Sequence, residues 1–417
     1  MLKTDFPYES DNPDLDCLSR SRLEQDFPLL VKEVADNRLV YLDNAATTLK
    51  PKQVAAEISR YYLEISANIH RGKHYLSEEA STLYEEGRYK VAQFLGCFGN
   101  EVVFVKNTTE ALNVVAKGLD LKRDDTVIVC TDSHHSNYLP WLERANTQLV
   151  RIGEQGIVDL NHYEELLKSN PKVVSLTHCS NVSGLYLPLE EMTRKAREVG
   201  ALVVVDAAQS VPHCRINVAR LGIDFLAFSG HKMLGPTGIG VLFGKQSHLK
   251  EMPPVFLGGG MVDWVDTSGY RVRKIPHKFE AGTPHIAGVF GLVAAIKYLE
   301  KIGFDRLKAH DAALGQMLLL EAQKRDYLEI IAPGKKDSPR CAIISLKIKG
   351  IKDMGNVARM LSDSYGIMCR SGHMCAQPFV DYLSEGEILR ASGYLYNNRK
   401  DLTEFFQALD QLKGVMV

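Results

Sequence analysis

The fold of this chain is decided by one segment, Gly200-Ala201-Leu202-Val203-Val204-Val205-Asp206. Its apolar residues form an unbroken run, and such a run is typical of a strand buried on both faces of a parallel sheet. Residues 187–200 have the pattern of a charged amphipathic helix, with Gly200 just past its end. This order of helix, glycine and buried strand is the repeating unit of an α/β protein.

The same pattern extends in both directions along the chain. Further apolar runs occupy residues 101–105, 126–130, 172–176, 225–228 and 239–243, and residues 108–119 have a helical pattern. Strands that alternate with helices imply one sheet with helices on both faces. We therefore predict an α/β fold with a largely parallel sheet.

After about Ile286 the pattern changes. A long helical stretch at 287–301 is followed by shorter strand patterns at 342–348 and 367–370 and by helices near 354–365 and 401–413. We interpret this part as a smaller α+β domain. The predicted division is a flexible segment at 1–20, a large domain at 21–298 and a small C-terminal domain at 299–417. The helix near residues 21–30 is a candidate to join the small domain.

Composition argues against several classes of function. The chain has 417 residues, 45% hydrophobic and 24% charged, and its formal net charge of −1 gives no general attraction to nucleic acid or an anionic membrane. No run of about 18 apolar residues is present, and the acidic N-terminus lacks a signal-peptide pattern. The eight cysteines form no CxxC pair, which argues against a disulfide framework and a cysteine-rich zinc site. A cytoplasmic location is expected.

Polar segments follow the predicted strands. Ligands of open α/β sheets bind beyond the carboxyl ends of the strands, so these segments are the first candidates for a binding site. Five of them are expected to meet at one edge of the sheet: Lys106-Asn107-Thr108-Thr109-Glu110, Asp132-Ser133-His134-His135, His178-Cys179-Ser180-Asn181, Asp206-Ala207-Ala208-Gln209 and Ser229-Gly230-His231-Lys232.

Lys232 comes just after a predicted buried strand, between Gly230 and Gly235. A solvated loop lysine is the commoner explanation for such a residue. A lysine that forms a Schiff base, however, needs a partly desolvated position that lowers its pKa. Ser229 and His231 beside it can donate hydrogen bonds to a phosphate. The segment is therefore a candidate site for a covalently bound, phosphorylated cofactor.

Asp206 ends the run of valines, where a carboxylate is costly without a cationic partner. A helix N-cap is the alternative role for an isolated aspartate here. A protonated pyridine nitrogen would be such a partner, because an aspartate that faces it keeps pyridoxal phosphate an electron sink. Gln209 could reach the phenolic oxygen of that cofactor. Lys232 follows 26 residues after Asp206 with another strand between, and the pair is more specific than either residue alone.

Two further pairs of residues are weaker indications of a cofactor site. Thr108-Thr109 opens a helix, where hydroxyl and backbone N–H groups bind phosphate, although an N-cap without a ligand has the same pattern. His134-His135 follows another strand and could stack on a pyridine ring or transfer protons. A metal site is the alternative for the histidines, but no His-Glu-x-x-His arrangement is present, so we predict no metal.

The last candidate is a cysteine near the C-terminus. Cys375 lies in residues 369–378, which contain glycine and proline and are predicted to form a loop. The nearby cations Arg370 and His373 would favour a thiolate, which makes Cys375 a candidate nucleophile. A surface thiol or a packing role is the alternative. Cys369 ends the preceding strand and is expected to be buried and inert.

Five motifs carry a resemblance to a known family: Tyr41-Leu42-Asp43-Asn44-Ala45-Ala46, Asn68-Ile69-His70-Arg71-Gly72, Asn107-Thr108-Thr109-Glu110, Ser229-Gly230-His231-Lys232 and Arg370-Ser371-Gly372-His373-Met374-Cys375-Ala376. In this order and spacing they resemble the cysteine desulfurase and selenocysteine lyase family, among the class V aminotransferase-like, fold-type I pyridoxal-phosphate enzymes. The resemblance runs from about Asp26 to near the C-terminus. The short Arg-x-Gly-His-x-Cys loop is similar to that of the second, SUF-type group, which serves iron–sulfur cluster assembly.

The resemblance implies a fold-type I large domain with a mostly parallel seven-stranded sheet, and pyridoxal 5′-phosphate as cofactor. It implies that Lys232 binds the cofactor covalently, with His134 on the ring, Asp206 at the ring nitrogen and Gln209 at the phenolic oxygen. The residues implied for the phosphate are Thr108, Thr109, Ser229, His231 and, from the neighbouring subunit, Thr283. The residues implied for the substrate are Asn181, Arg370, Arg390 and His70.

The implied reaction converts L-cysteine to L-alanine, with L-selenocysteine as a side substrate. Lys232 would remove the α-proton, and the Cys375 thiolate would attack the substrate sulfur and keep it as a persulfide. A homodimer and a SufE- or SufU-like sulfur acceptor are the implied partners, with no nucleic acid and no membrane. The sulfur would supply iron–sulfur clusters or other sulfur compounds.

The chain departs from the family pattern at two points. Met374 replaces the second of two histidines that usually precede the cysteine, and Lys106-Asn107 replaces an arginine–glycine pair. Three other functions stay open. They are a selenocysteine lyase, another class V C–S lyase in which Cys375 is incidental, and a docking platform for sulfur-assembly proteins with little turnover of its own.

Overall fold

The computed structural model describes residues 20–416. The predicted flexible segment 1–20 lies outside the described residues, except for Arg20, which begins the first helix. In chain order the strands are β1 (Glu33–Val34), β2 (Asn37–Arg38), β3 (Val40–Tyr41), β4 (Val102–Val105), β5 (Thr126–Cys130), β6 (Asn146–Val150), β7 (Val173–Thr177), β8 (Leu202–Asp206), β9 (Phe225–Ser229), β10 (Gly240–Gly244), β11 (Val262–Val265), β12 (Tyr270–Val272), β13 (Leu328–Ile331), β14 (Ile343–Ile348), β15 (Ile367–Met368), β16 (Arg370–Gly372) and β17 (Ile388–Ser392).

The α-helices, in the same order, are α1 (Arg20–Asp26), α2 (Lys52–Arg60), α3 (Tyr75–Leu95), α4 (Thr108–Gly118), α5 (Leu139–Leu142), α6 (Leu160–Leu167), α7 (Leu189–Glu198), α8 (Val218–Leu221), α9 (Gln246–Glu251), α10 (Ile286–Ile302), α11 (Phe304–Gln323), α12 (Met354–Tyr365), α13 (Gln377–Leu383) and α14 (Arg399–Met416). Short helical turns of 3₁₀ or π geometry occupy Pro28–Val31, Tyr61–Ile65, Gly99–Glu101, His135–Asn137, Gly230–Lys232 and His277–Phe279. Within the described helices, none is both long and apolar enough to cross a membrane.

Seven strands form the central sheet, in the order β4-β10-β9-β8-β7-β5-β6. β10 runs antiparallel to its neighbours β4 and β9, whereas the other neighbours pair in parallel. The predicted α/β fold with a mostly parallel sheet is therefore confirmed. β8 lies at the centre of the sheet, and Val203, Val204 and Val205 are fully buried, which explains the unbroken apolar run.

Two central strands extend one residue further toward their carboxyl ends than the apolar runs predicted. β8 ends at Asp206 and β9 ends at Ser229. The backbone of each polar residue still pairs with the next strand, Asp206 opposite Ala227 and Ser229 opposite Gly240, because ladder pairing does not depend on the side chain. Both polar side chains are thus fixed at the carboxyl edge of the sheet.

The second sheet is antiparallel, in the order β13-β14-β17-β16. It shares an apolar core with α11, α12 and α14, to which the chain just before the central sheet adds Val40 and Leu42. The ring of Phe27, after α1, packs on Tyr298 and on Tyr396, with centroids 5.7 and 5.0 Å apart. The N-terminal helix therefore lies next to both parts of the chain, and the division between residues 298 and 299 stays our proposal.

The prediction that residues 369–378 form a loop is wrong at both ends of the segment. Arg370–Gly372 forms β16 and pairs with β17, with Arg370 opposite Arg390. Helix α13 begins at Gln377. β16 is a strand only because it pairs with β17, and nothing in the local sequence identifies that partner.

Candidate active site

A cavity of about 640 Å³ opens at the carboxyl ends of the parallel strands. One wall comes from the central sheet, and the other comes from β16, β17 and the turn between β16 and α13. All but two of the residues predicted for the site line this cavity: Thr108, Thr109, His134, Asn181, Asp206, Gln209, Ser229, His231, Lys232, Arg370, Cys375 and Arg390. The two residues that do not are His70 and Thr283.

Lys232 ends the 3₁₀ turn Gly230–Lys232 directly after β9. Desolvation lowers the pKa of Lys232 to about 8, while the nearby Asp206 carboxylate acts in the opposite direction. A substantial share of the amine is therefore neutral at slightly alkaline pH, as a lysine that forms a Schiff base requires.

Asp206 is a buried carboxylate at the end of β8, with 5% of its surface exposed. Its Oδ1 accepts a hydrogen bond of 2.9 Å from the backbone N–H of Ala208. Desolvation raises the pKa of Asp206, and Lys232 lowers it in part. In the described chain no Lys or Arg lies within ion-pair distance of Asp206. The charge of this side chain can therefore be compensated by a cationic group bound in the cavity.

His134 lies at the start of the turn after β5. Its Nδ1 accepts a hydrogen bond of 3.1 Å from the backbone N–H of Ser136, which assigns the ring proton to Nε2. Desolvation lowers the pKa of His134 to about 3, with Lys232 and other cationic groups adding to the shift. The imidazole is thus neutral at physiological pH and presents a flat ring to the cavity.

A set of hydroxyl groups lies at the N-terminus of α4. Ser229 Oγ accepts a hydrogen bond of 2.9 Å from the backbone N–H of Thr108 and lies 2.7 Å from its Oγ1. Thr109 Oγ1 lies 2.7 Å from Ser136 Oγ. Ser136 was not predicted, although it directly follows His134-His135. Hydroxyls and N–H groups at a helix N-terminus form a phosphate-binding site.

Arg390 approaches the cavity from β17 and is 2% exposed. Its guanidinium donates to the backbone oxygen of Asn181 at 3.0 Å and to Asp43 Oδ1 at 3.3 Å, while its Nε has no partner in the described chain. Arg370 is half-exposed and donates to Asp43 Oδ2 at 2.9 Å. Asp43, which orients both arginines, was not predicted, and its only signal was its place in the motif at 41–46.

Cys375 is held at the cavity by hydrogen bonds to the opposite wall. Its carbonyl accepts a bond of 2.7 Å from the backbone N–H of His135, and that of Met374 accepts a bond of 2.7 Å from Asn181 Nδ2. The backbone N–H of Gln377 donates to His135 Nε2 at 3.3 Å. Met374 and Cys375 have φ angles of 52° and 53°, a left-handed backbone that costs about 1–3 kcal/mol each. The turn therefore depends on contacts from the other wall.

The thiols of the chain differ sharply in exposure. Cys375 is the one exposed cysteine in the described part of the chain. Cys369 lies between β15 and β16 and is half-buried, not fully buried as predicted. Desolvation nevertheless raises the pKa of its thiol to about 12, in agreement with the expectation of an inert thiol. Met374 is only 7% exposed and packs in the apolar core, so the side chain that replaces the usual histidine is a packing group here.

His70 and Thr283 lie together in a separate cavity of about 250 Å³. Asn68 Nδ2 approaches Thr283 Oγ1 at 3.5 Å, and His70 Nε2 lies 2.9 Å from Glu85 Oε1. Neither side chain is brought to the main cavity within one chain.

The groups around the main cavity fit pyridoxal phosphate. They supply a lysine with a lowered pKa, a buried carboxylate without a protein cation, a neutral imidazole and a helix N-terminus with hydroxyls. Gln209 is fixed by a hydrogen bond of 2.7 Å from its Nε2 to the backbone oxygen of Ala45. A second, cationic end of the cavity, at Arg390, is suited to the carboxylate of an amino acid.

Comparison with known proteins gives a consistent result. The chain matches the family described as Aminotransferase class-V over residues 40–405. A probable cysteine desulfurase of Streptomyces coelicolor is 42% identical over 413 residues, which is 95% of this chain and 98% of the relative. The solved apo structure of a cysteine desulfurase from Thermococcus onnurineus is 37% identical with a TM-score of 0.89, covering 94% of this chain and 98% of that one. The cysteine desulfurase CsdA of Escherichia coli, in an S-sulfonic acid form, is 32% identical with a TM-score of 0.85, covering 96% and 99%.

Proposed function

The chain belongs to the aminotransferase class-V family, and we propose that it is a cysteine desulfurase that converts L-cysteine to L-alanine and keeps the sulfur as a persulfide on Cys375. The resemblance seen in the sequence is confirmed by the family match and by relatives named as cysteine desulfurases over nearly the whole chain. The fold-type I architecture and the dependence on pyridoxal phosphate are confirmed on the same grounds.

The position of Cys375 is the observation that carries the proposal. Its thiol is exposed, borders the cavity and lies on a turn bonded to His135, next to the proposed ring-stacking residue His134. A nucleophile that collects sulfur from a bound substrate and passes it on needs access to both the cavity and the solvent. By contrast, the thiol of Cys130 is fully buried, and burial raises its pKa.

The wall formed by the central sheet, which we call the cofactor wall, supplies proton transfer and charge compensation. When bound, pyridoxal phosphate acts as a sink for the electron pair left at the substrate α-carbon. Asp206 keeps the charge of the ring nitrogen compensated, and the hydroxyls at the start of α4 hold the phosphate. The neutral Nζ of Lys232 removes the α-proton, a step for which a pKa near neutrality is suited.

The wall formed by β16, β17 and the turn that carries Cys375, which we call the thiol wall, carries out the sulfur transfer. The Cys375 thiolate attacks the substrate sulfur, so the new S–S bond forms as the substrate Cβ–S bond breaks. The electron pair of the broken bond stays on carbon, and Cβ then takes a proton to become the methyl group of alanine. The α-carbon recovers a proton from the ammonium group of Lys232. The outer sulfur remains on an exposed side chain, where an acceptor can remove it.

The substrate is oriented by its carboxylate. Arg390 lines the cavity and its buried Nε has no partner in the described chain, and a guanidinium binds a carboxylate through two parallel hydrogen bonds. Asn181 and Asp43 hold the guanidinium in place. Arg370, which is half-exposed, adds positive charge at the entrance.

A homodimer completes the site. Thr283 and His70 reach the active site of the second subunit, and not that of their own chain. The hairpin of β11 and β12 exposes Trp264, Val265 and Tyr270, which are 51%, 60% and 53% exposed, an apolar surface suited to burial by a second copy. The segment that leads into this hairpin is next to Thr283, because Gly282 N–H donates to the Gly259 carbonyl at 2.7 Å. The exposed Cys375 then faces a SufE- or SufU-like sulfur acceptor.

The reaction is tested by incubating the purified protein with L-cysteine in the absence of reductant. We expect one added sulfur on the peptide that contains Cys375, together with a stoichiometric amount of alanine. Intact-protein and peptide mass spectrometry and amino-acid analysis measure the two products in the same sample.

Two variants give the matched control. Cys375→Ala is expected to retain the cofactor absorbance and to lose both products, whereas Cys369→Ala is expected to retain both. Alanine formed without a persulfide would replace the proposal with another C–S lyase reaction. If neither product forms in a cofactor-loaded wild type, the desulfurase proposal is refuted.

A further inference from the structure

We propose that a divalent transition-metal ion, for which Zn²⁺ is the best match, binds at a buried cluster of His213, Asp311 and Cys341 between the two sheets. Ligand atoms of the three side chains lie within 4.8 Å of one another, and all three residues are buried. Imidazole, carboxylate and thiolate groups are the ligands of Zn²⁺ in proteins. None of the three lines the cofactor cavity, so the proposal does not depend on the proposed reaction.

The distances suit a tetrahedral site. His213 Nδ1 lies 3.2 Å from Asp311 Oδ2. Metal–ligand bonds of roughly 2.0–2.3 Å at tetrahedral angles place two ligand atoms about 3.3–3.8 Å apart. Cys179 Sγ lies 3.5 Å from Cys341 Sγ, and this second thiol is the nearest candidate for a fourth ligand.

The imidazole of His213 has an unsatisfied atom directed into the cluster. His213 is only 5% exposed, and its Nδ1 has no hydrogen-bond partner within the described chain. It lies close to Asp311, but the two groups are not aligned for a hydrogen bond. A buried polar atom without a partner is costly, and coordination to a metal ion would use its lone pair.

The cluster also contains a buried carboxylate, Asp311. Asp311 is 3% exposed and accepts a hydrogen bond of 3.1 Å from the backbone N–H of Ala342, and no Lys or Arg of the described residues lies within ion-pair distance of it. A cation at this point would compensate Asp311 and stabilise a thiolate.

The ligands come from different parts of the fold. His213 follows β8, Asp311 lies in α11, and Cys341 precedes β14. The Tyr394 ring packs edge-on against His213 at 5.1 Å, which restricts the orientation of the imidazole. A metal ion here would join the small sheet and its helices to the central sheet. The sequence predicted no metal here, because ligands this far apart along the chain form no spacing motif.

The test measures metal content of the cofactor-loaded enzyme. The protein is treated with a chelator, given Zn²⁺ or Co²⁺, and passed through gel filtration before elemental analysis. We expect one metal equivalent retained per chain, a higher Tm than in the chelated protein, and visible absorption bands of tetrahedral Co²⁺ beyond the cofactor band.

Substitutions of the proposed ligands test whether the metal binds at this cluster. Cys341→Ser and Asp311→Asn are expected to lose the retained equivalent while keeping the cofactor absorbance, and Cys375→Ala is expected to keep it. A metal that is lost in Cys375→Ala and retained in Cys341→Ser would overturn the assignment. Absence of any retained equivalent or Tm shift in the wild type would also overturn it, as would a Cys179–Cys341 disulfide in non-reducing peptide maps. Metal retention by the wild-type protein tests the proposal even where a variant fails to fold.

Discussion

The two walls of the active-site cavity are built in opposite ways. On the cofactor wall, Asp206 ends β8 and Lys232 lies in the short turn after the neighbouring strand β9, and both strands are fixed by the backbone hydrogen bonds of the central sheet. On the thiol wall, Met374 and Cys375 have a left-handed backbone and are held by hydrogen bonds from residues far away in the chain. The cofactor wall is fixed by the hydrogen bonds of its own sheet. The conformation of the thiol wall depends on contacts with residues of the opposite wall.

This difference matches the division of work that we propose. Proton transfer and charge compensation need groups that stay in place, and strand ends of a buried sheet provide that. Sulfur delivery needs a thiol that is reachable from the solvent, and an exposed turn provides that. Changes on the cofactor wall are therefore expected to abolish all chemistry, and changes on the thiol wall to affect substrate binding, sulfur transfer or stability while the cofactor stays bound.

The largest expected effect comes from Lys232→Ala. This variant should form no borohydride-reducible linkage between protein and cofactor, and turnover should fall by at least about 10²–10⁴, the usual contribution of a positioned acid–base group. Peptide mass spectrometry after reduction measures the linkage. Lys50→Ala is the matched control, since burial also lowers the pKa of Lys50 to about 8, and it should keep the linkage. A reducible adduct at another lysine of Lys232→Ala would refute the assigned role.

A smaller effect is expected where the thiol wall contacts the substrate carboxylate. Arg390→Lys removes a bidentate charged interaction worth about 1.5–3 kcal/mol, which corresponds to a KM for cysteine raised roughly 10–100-fold. Arg370→Lys should raise KM less than about tenfold, because the half-exposed Arg370 pairs with Asp43. Steady-state kinetics of both variants test the ranking. Equal effects would mean that Arg370 contacts the substrate as closely as Arg390.

The pH dependence of cofactor loading tests the cofactor wall independently of the thiol wall. We propose that the neutral amine of Lys232 is the nucleophile, so deprotonation through its pKa of about 8 should accelerate loading of the cofactor-free protein. The rate should rise roughly tenfold between pH 7 and pH 9. His134, with a pKa of about 3, does not titrate in this range. In Asp206→Asn the midpoint should move to lower pH, because a carboxylate that stabilises the ammonium form is lost; a midpoint that moves upward would contradict this account.

The smallest expected effect comes from Met374, the residue that departs from the family pattern. Met374→His places an imidazole in the apolar core and should lower the free energy of unfolding by about 1–3 kcal/mol, whereas Met374→Leu should change it by less than about 1.5 kcal/mol. Chemical denaturation measures both. Turnover should change less than about tenfold in either variant. A large gain in turnover for Met374→His would show that an imidazole here tunes the thiol and would weaken the contrast between the walls.

The cofactor wall could be predicted from the sequence because its signals are local. Unbroken apolar runs identified the central strands, with β5 at the predicted residues, and polar residues at the strand ends identified Asp206 and Lys232. In a parallel sheet, strand ends meet at one edge whatever the intervening helices are. The positions of these residues around one cavity therefore followed from pattern alone, and the resemblance of motifs then specified the cofactor.

The tertiary structure decided the features that join residues distant in the chain. The pairing of β16 with β17, the hydrogen bonds of Asp43 to both arginines, and the contact of Ser136 with Thr109 have no local signal. The same is true of the cluster of His213, Asp311 and Cys341, whose members come from three different elements. Local sequence specifies which backbone conformation each segment prefers, whereas close approach between segments is set by packing of the whole chain.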